Sequence, residues 1–446
     1  MYQRTGAPLH SSYALPQLRA FYKNQHQKQS TRHKVHKWQT IASLCLSRWV
    51  GTRYLPISYS EASWTGLLNY RSCLWDKGTC QLLPLECQAA LPELVDFDLY
   101  DAAKVDTCDI NILRIEEYKR DKNMDGSIVK NPYWDRWSDL RFVRLLLGIG
   151  DGGCANIGSK CVSTERIAVT IGTSAAARIC IHSPVYHSRG VYGCNSTITD
   201  SDSFPALPYG LFCYRINRSY ILVGGALTDG GSVVEWARGL LGIENSEAFE
   251  TLMEKVTQLY NEDVLRSIDS TIQDQTVVVP FLSGERSTGF RQNATGSVVG
   301  LTRGTTPSIF FKACLEGVIL RIQVILHLLE GFSANNCVEP SPSWRTIIIS
   351  GNALENNSLW RKMLADCSGM IVVKDMDANE GTSRGAALLA TTLDSTCTSH
   401  IQPLQREKLN VLEENNPNAM ARQFYWKPLA SSQNNVIEHI SQTWAS

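Results

Sequence analysis

Two short segments hold residues whose types and spacing could do chemistry together. The first is Gly150-Asp151-Gly152-Gly153, a single carboxylate in a glycine frame ahead of a short helical run; the second is Gly172-Thr173-Ser174, which ends a strand. A carboxylate in a glycine turn has no bulky neighbour covering its lone pairs, and a helix N-terminus favours its charge. A strand that breaks at Gly-Thr-Ser offers backbone N–H groups and side-chain hydroxyls to an anion. A base beside a phosphate cradle points to phosphoryl transfer onto a hydroxyl. Each segment also has a plainer reading, Asp151 as a helix N-cap and residues 172–174 as an ordinary hairpin turn.

The elements that would position these groups follow a strand, glycine turn, helix rhythm from residue 167 onward. Ile167-Ala168-Val169-Thr170-Ile171 is a β-branched run, and Tyr220-Ile221-Leu222-Val223 leads into an expected turn at Gly224-Gly225, then Asp229-Gly230-Gly231 and a helix through Val234 and Trp236. Thr306 and Pro307 read as the cap and first residue of a long helix. Phe311, Leu315, Val318, Ile322, Ile325 and Leu329 follow at spacings of four and three, a core-facing stripe. A strand over 346–350, a turn at Gly351-Asn352-Ala353, a helix over 358–366, a strand over 371–373 and a helix over 384–390 come next. This order puts Gly351 at the carboxyl end of a strand, where open α/β sheets place ligands, so the turn could hold a nucleotide.

The chain has 446 residues, too many for one core, and a cleft between two domains is the natural site. With 43 basic and 43 acidic residues the net charge is zero, which argues against nucleic acid as the main partner. A basic stretch with Lys23, His26, Lys28, Arg32, His33, Lys34, His36 and Lys37 lacks an aromatic ladder and reads as a solvated face. No apolar run reaches the ~18 residues of a bilayer span, so no membrane is expected. The start, Met1-Tyr2-Gln3-Arg4-Thr5-Gly6, lacks a signal-peptide core, and a reducing, cytoplasmic setting with free thiols is the expectation. Residues 98–131 carry mixed charge and include the turn signature Met124-Asp125-Gly126-Ser127, a surface insert. Oligomeric state is not readable.

The segments together resemble the FGGY family of carbohydrate kinases. The blocks that carry the resemblance are 150–158, 169–176, 225–236, Pro280-Phe281-Leu282-Ser283-Gly284-Glu285-Arg286, Gly300-Leu301-Thr302, Leu315-Glu316-Gly317-Val318, 350–366 and Ser383-Arg384-Gly385-Ala386-Ala387. The opening, with His10 and Tyr13, and residues 59–68 look most like the gluconokinase branch. The resemblance implies an α/β fold of two ribonuclease-H-like (actin/hexokinase-type) domains: residues 1–164 as a sugar-binding domain truncated at its N-terminus, and 165–446 as a nucleotide-binding domain. It implies ATP and Mg2+ as cofactors and a sugar or sugar acid, gluconate-like, as the substrate. Asp151 would be the base and also contact the substrate, Gly172 and Thr173 would hold phosphates, Gly351 would lie under the adenosine, and Gly225 and Gly231 would line the nucleotide side. His10 and Tyr13 would approach the sugar, or pack as core aromatics. Trp236 and Trp360 read as core, and Glu285 with Arg286 as a loop-fixing ion pair.

Two departures stand out. The family opens with a strand ending in an Asp-x-Gly-Thr turn that contacts phosphate and helps organise magnesium, and no such turn is found here. Asn352 stands where the family usually has a second glycine, and a side chain there would crowd the nucleotide. A working kinase and an inactive actin-fold protein that binds ligands or partners are therefore both consistent with the sequence.

Overall fold

The computed structural model describes residues 1–27, 35–97, 118–122, 128–130, 136–140, 143, 145–162, 165–183, 206–266, 276–334, 346–374, 380–394 and 425–426. Its centre is a seven-stranded sheet. The strands are β1 (Arg166–Ile171), β2 (Ala175–His182), β3 (Phe212–Arg215), β4 (Tyr220–Leu227), β5 (Thr346–Ser350), β6 (Ile371–Lys374) and β7 (Tyr425–Trp426), in the spatial order β7-β6-β5-β1-β2-β4-β3. Contacts β1–β2, β2–β4 and β4–β3 are antiparallel, whereas β5 runs parallel to both β1 and β6. An antiparallel run of four strands continued by two parallel ones contains the ribonuclease-H-like arrangement, so the α/β expectation holds.

The strands alternate as a pleated surface must. Ile167, Val169, Ile171, Ala177, Ile179, Val223, Ile347 and Ile349 face one core, built on α4 (Pro307–Ala334) with α2 (Ser232–Leu240), α3 (Ser246–Arg266) and α5 (Ser358–Ser368). The expected stripe of α4, from Phe311 to Leu329, is fully buried, each side chain contributing about 1.5–3 kcal/mol. Thr306 caps α4 by accepting from the Ile309 amide, and Trp360 is buried with its indole N–H donating to the Leu315 carbonyl. The opposite face, with Ala168, Cys180, Leu222 and Ile348, carries α1 (Asp151–Gly158) and α6 (Gly381–Asp394).

One expectation changes. Gly224 and Gly225 do not turn the chain; both stay in β4, which runs on to Leu227. Their missing side chains serve packing instead, because a methyl on Gly224 would lie 2.8 Å from Phe212 and one on Gly225 2.8 Å from Ile325 of α4. Residues 1–27 and 35–97 form helices of 4 to 14 residues and two-residue strand pairs, and residues 118–122 pair with 128–130. Lys28, Arg32, His33, Lys34 and the turn at 124–127 lie outside the described residues. Among the described residues no helix is long and apolar enough to cross a membrane.

Candidate active site

Asp151 opens α1 on an exposed position, with Gly150 as the residue before the helix. Among the described residues its carboxylate accepts one hydrogen bond, to Oδ1 from the Gly152 amide at 2.7 Å. The approach to the helix is held from outside: the Gly150 amide donates to Ser60 Oγ at 3.0 Å, and Ser58 Oγ donates to the Gly148 carbonyl at 2.5 Å. Gly150 has to be glycine, since a side chain there would strike the Trp64 indole.

A cleft of about 360 Å³ runs from Asp151 across the sheet. Arg178 of β2, Thr170 of β1, Ser350 of β5, and Glu380 and Thr382 at the start of α6 line it. The Thr170 and Ser350 hydroxyls share a hydrogen bond of 2.7 Å on its floor. It therefore extends to the carboxyl ends of β1 and β5, where the expected phosphate and nucleotide turns begin.

Those turns assemble backbone to backbone. Gly231 N–H donates to the Gly172 carbonyl at 2.7 Å, and the Gly230 and Ser232 amides donate to the Thr173 carbonyl at 2.8 and 3.2 Å. Gly351 has a φ of +93°, and any side chain on it would run into the Ile171 carbonyl, so three glycine turns meet at one edge. Space above Gly172 is open, and Thr173 and Ser174 are exposed. Among the described residues neither the Thr173 nor the Ser174 amide donates to a protein acceptor. Gly172, Thr173, Gly231 and Gly351 are thus brought together; Gly225 is not, because it is buried in β4 against α4. Asn352 is exposed at the start of a short helix.

The other side of Asp151 is aromatic. Trp64 stacks on Tyr214 at 5.3 Å between ring centroids, and Tyr214 on Phe212 at 4.6 Å. The Tyr13 and Tyr214 hydroxyls are 2.6 Å apart, and burial raises the pKa of both. Tyr13 is thus a packed aromatic supporting the Trp64 platform. His10 is half-buried with its Nδ1 2.8 Å from Ser12 Oγ; burial and then the charge of Arg286 lower its pKa.

The expected pair of Glu285 with Arg286 does not form. Glu285 is buried and bonds Arg321 of α4 at 2.6 Å, whereas Arg286 is exposed on the His10 and Tyr13 side. Residues adjacent in a loop point apart, so the partner of Glu285 comes from a helix the local sequence cannot indicate. The sequence reading also missed Arg178, although a lone arginine in the run Ala175-Ala176-Ala177-Arg178-Ile179-Cys180 is itself a signal.

Residues 167–393 match the C-terminal domain of the FGGY family of carbohydrate kinases. A gluconokinase of Bacillus licheniformis is 25% identical over 392 residues, which is 87% of this chain and 64% of that relative, so the chain spans under two thirds of its length. The structure resembles a gluconate kinase from Lactobacillus acidophilus (TM-score 0.66, 21% identity, 99% of this chain and 72% of the other). It is also similar to a Plasmodium falciparum glycerol kinase solved with ADP (TM-score 0.65, 16% identity, 100% and 72%). With the ribonuclease-H-like sheet, the glycine turns at its edge and the match over 167–393 agreeing, the chain belongs to the FGGY family of carbohydrate kinases.

Proposed function

We propose that the chain takes part in ATP-dependent phosphorylation of a hydroxyl on a sugar acid of the gluconate type. The observation that carries this reading is the cleft that runs from the Asp151 carboxylate to Thr170 and Ser350, close to where the chain leaves β1 and β5 for the glycine turns. In this reading residues 1–164 form the sugar side and 165–446 the nucleotide side. The open face of Gly172, with the undonated amides of Thr173 and Ser174, fits the anionic oxygens of a triphosphate. Gly231 and Gly351 let the neighbouring backbones close around that turn. Mg2+ would arrive on the phosphates, keeping much of its water.

The reaction then balances simply. The substrate oxygen bonds to the γ-phosphorus as the bond to the β-bridging oxygen breaks, its proton passes to Asp151, and ADP leaves with a phosphate ester formed. In this reading the exposed Trp64 ring and His10 are the groups offered to the polyol chain. The gluconokinase relatives support the acid over a neutral sugar.

A coupled assay of ADP release with ATP and D-gluconate tests this. Asp151→Asn is expected to lower kcat by roughly 10²- to 10⁴-fold while ligand-induced melting shifts persist. Equal turnover by wild type and the Asn variant overturns the assignment.

A further inference from the structure

We propose that Arg178 receives the carboxylate of the substrate, and that this guanidinium makes the site select a sugar acid over the corresponding neutral polyol. The inference deepens the kinase reading and rests on it for the identity of the cleft. Arg178 sits on the face of β2 that carries α1, with Ala168, Cys180 and Leu222 beneath it and Asp151, Thr170, Ser350 and Glu380 lining the same cleft. Two glycines make the slot for its side chain: a methyl on Gly224 would lie 3.0 Å from its Cγ, and one on Gly152 3.6 Å from its Nε.

The guanidinium so placed lines the cleft beside Asp151, yet no hydrogen bond or ion pair from the described residues reaches it. Half-buried in the cleft, the guanidinium keeps its N–H donors open to a bound anion. Burial lowers the Arg178 pKa, and the charge of Asp151, which lines the same cleft, works in the other direction. Asp151 is not the missing partner: its oxygen bonds the Gly152 amide, and it forms no ion pair with Arg178. Base and guanidinium therefore stand apart, as they must to serve opposite ends of one short carbon chain. A planar, always-charged fork matches a carboxylate through paired N–H donors, which a neutral hydroxymethyl group cannot reproduce.

The test is calorimetric titration of the full chain with D-gluconate and with D-glucitol, which carries a hydroxymethyl group in place of the carboxylate. Wild type is expected to bind gluconate roughly 10- to 100-fold more tightly. Arg178→Met is expected to bring the two ligands to parity, and Arg178→Lys to keep part of the preference through charge alone. Equal binding of both ligands by wild type, no binding of gluconate, or a gluconate preference that survives Arg178→Met overturns the proposal. A fall in kcat with that preference intact also overturns it, placing Arg178 on the phosphoryl group instead. The comparison of ligands in wild type and the Lys variant hold even where the Met variant does not fold. ADP release separates the two claims: preference for gluconate without ADP formation leaves the carboxylate site standing and removes the kinase reading. ADP formed equally from gluconate and glucitol does the reverse.

Discussion

Three aspartates show how surroundings divide structural carboxylates from reactive ones. Asp229 is buried and accepts from Ser232 Oγ, Ser283 Oγ and the Ser283 amide, which leaves it no capacity for chemistry. Asp76 is buried too, caps the helix Lys77–Cys80 through the Thr79 amide, and accepts from Arg4 at 2.7 and 3.1 Å. Asp151 is exposed and holds one amide. Burial pushes the Asp76 pKa up, but the bonds from Arg4 and Thr79 outweigh it and hold the group at about 2. A carboxylate whose folded pKa is depressed stabilises the fold fully above its unfolded value, near 3.9, and loses that contribution as pH falls through the folded value. Asp76→Asn should therefore cost about 2 kcal/mol in urea unfolding at neutral pH. That gap should close between about pH 4 and pH 2. A gap that stays constant over this range would contradict the assignment.

At the scale of elements, α1 brings Asp151 to the cleft because it lies directly on α6. A side chain on Gly158 would overlap the Gly381 carbonyl, and one on Gly385 the Cys154 carbonyl, so the helices touch through their backbones. On a free helix surface, replacing glycine by alanine stabilises by about 1 kcal/mol. Gly385→Ala is expected to do the opposite, lowering stability by about 1–3 kcal/mol and lifting Asp151 away from the sheet. Urea midpoints read the first effect and kcat the second; a stabilised variant would show that the crossing is loose.

Across the whole molecule, the described residues up to 97 are tied to the edge of the sheet by deeply placed links. Tyr2 Oη donates to the Leu211 carbonyl at 2.6 Å, and the Cys213 amide donates to the carbonyl of Gly6, whose φ is +64°. Arg215 of β3 is buried and donates to the carbonyls of Tyr70 and Ser183, while its amide donates to Ser63 Oγ at 2.9 Å. It joins the 63–70 segment to the strand edge. Arg215→Met leaves those carbonyls without donors, at about 1–3 kcal/mol each. We expect a lower Tm, and limited proteolysis that removes residues 1–97 before the sheet. An unchanged melting curve and digestion pattern would assign the attachment to the apolar contacts instead.

Local rules determined much of this protein. The β-branched runs at 167–171 and 346–350, the cap at Thr306 and the α4 stripe name their own structure, because each depends on neighbours within a few residues. The isolated acid in its glycine frame and the Gly-Thr-Ser break were legible for the same reason. The strand through Gly224-Gly225 was not: those glycines read as a turn until Phe212 and Ile325 are seen to need their space. Nor could the sequence tell that Glu285 pairs with Arg321 rather than its neighbour, or that Arg178 lines one cleft with Asp151. These are matters of distance between remote segments, which hydrophobic pattern and turn chemistry do not encode residue by residue and which only the packed tertiary structure decides.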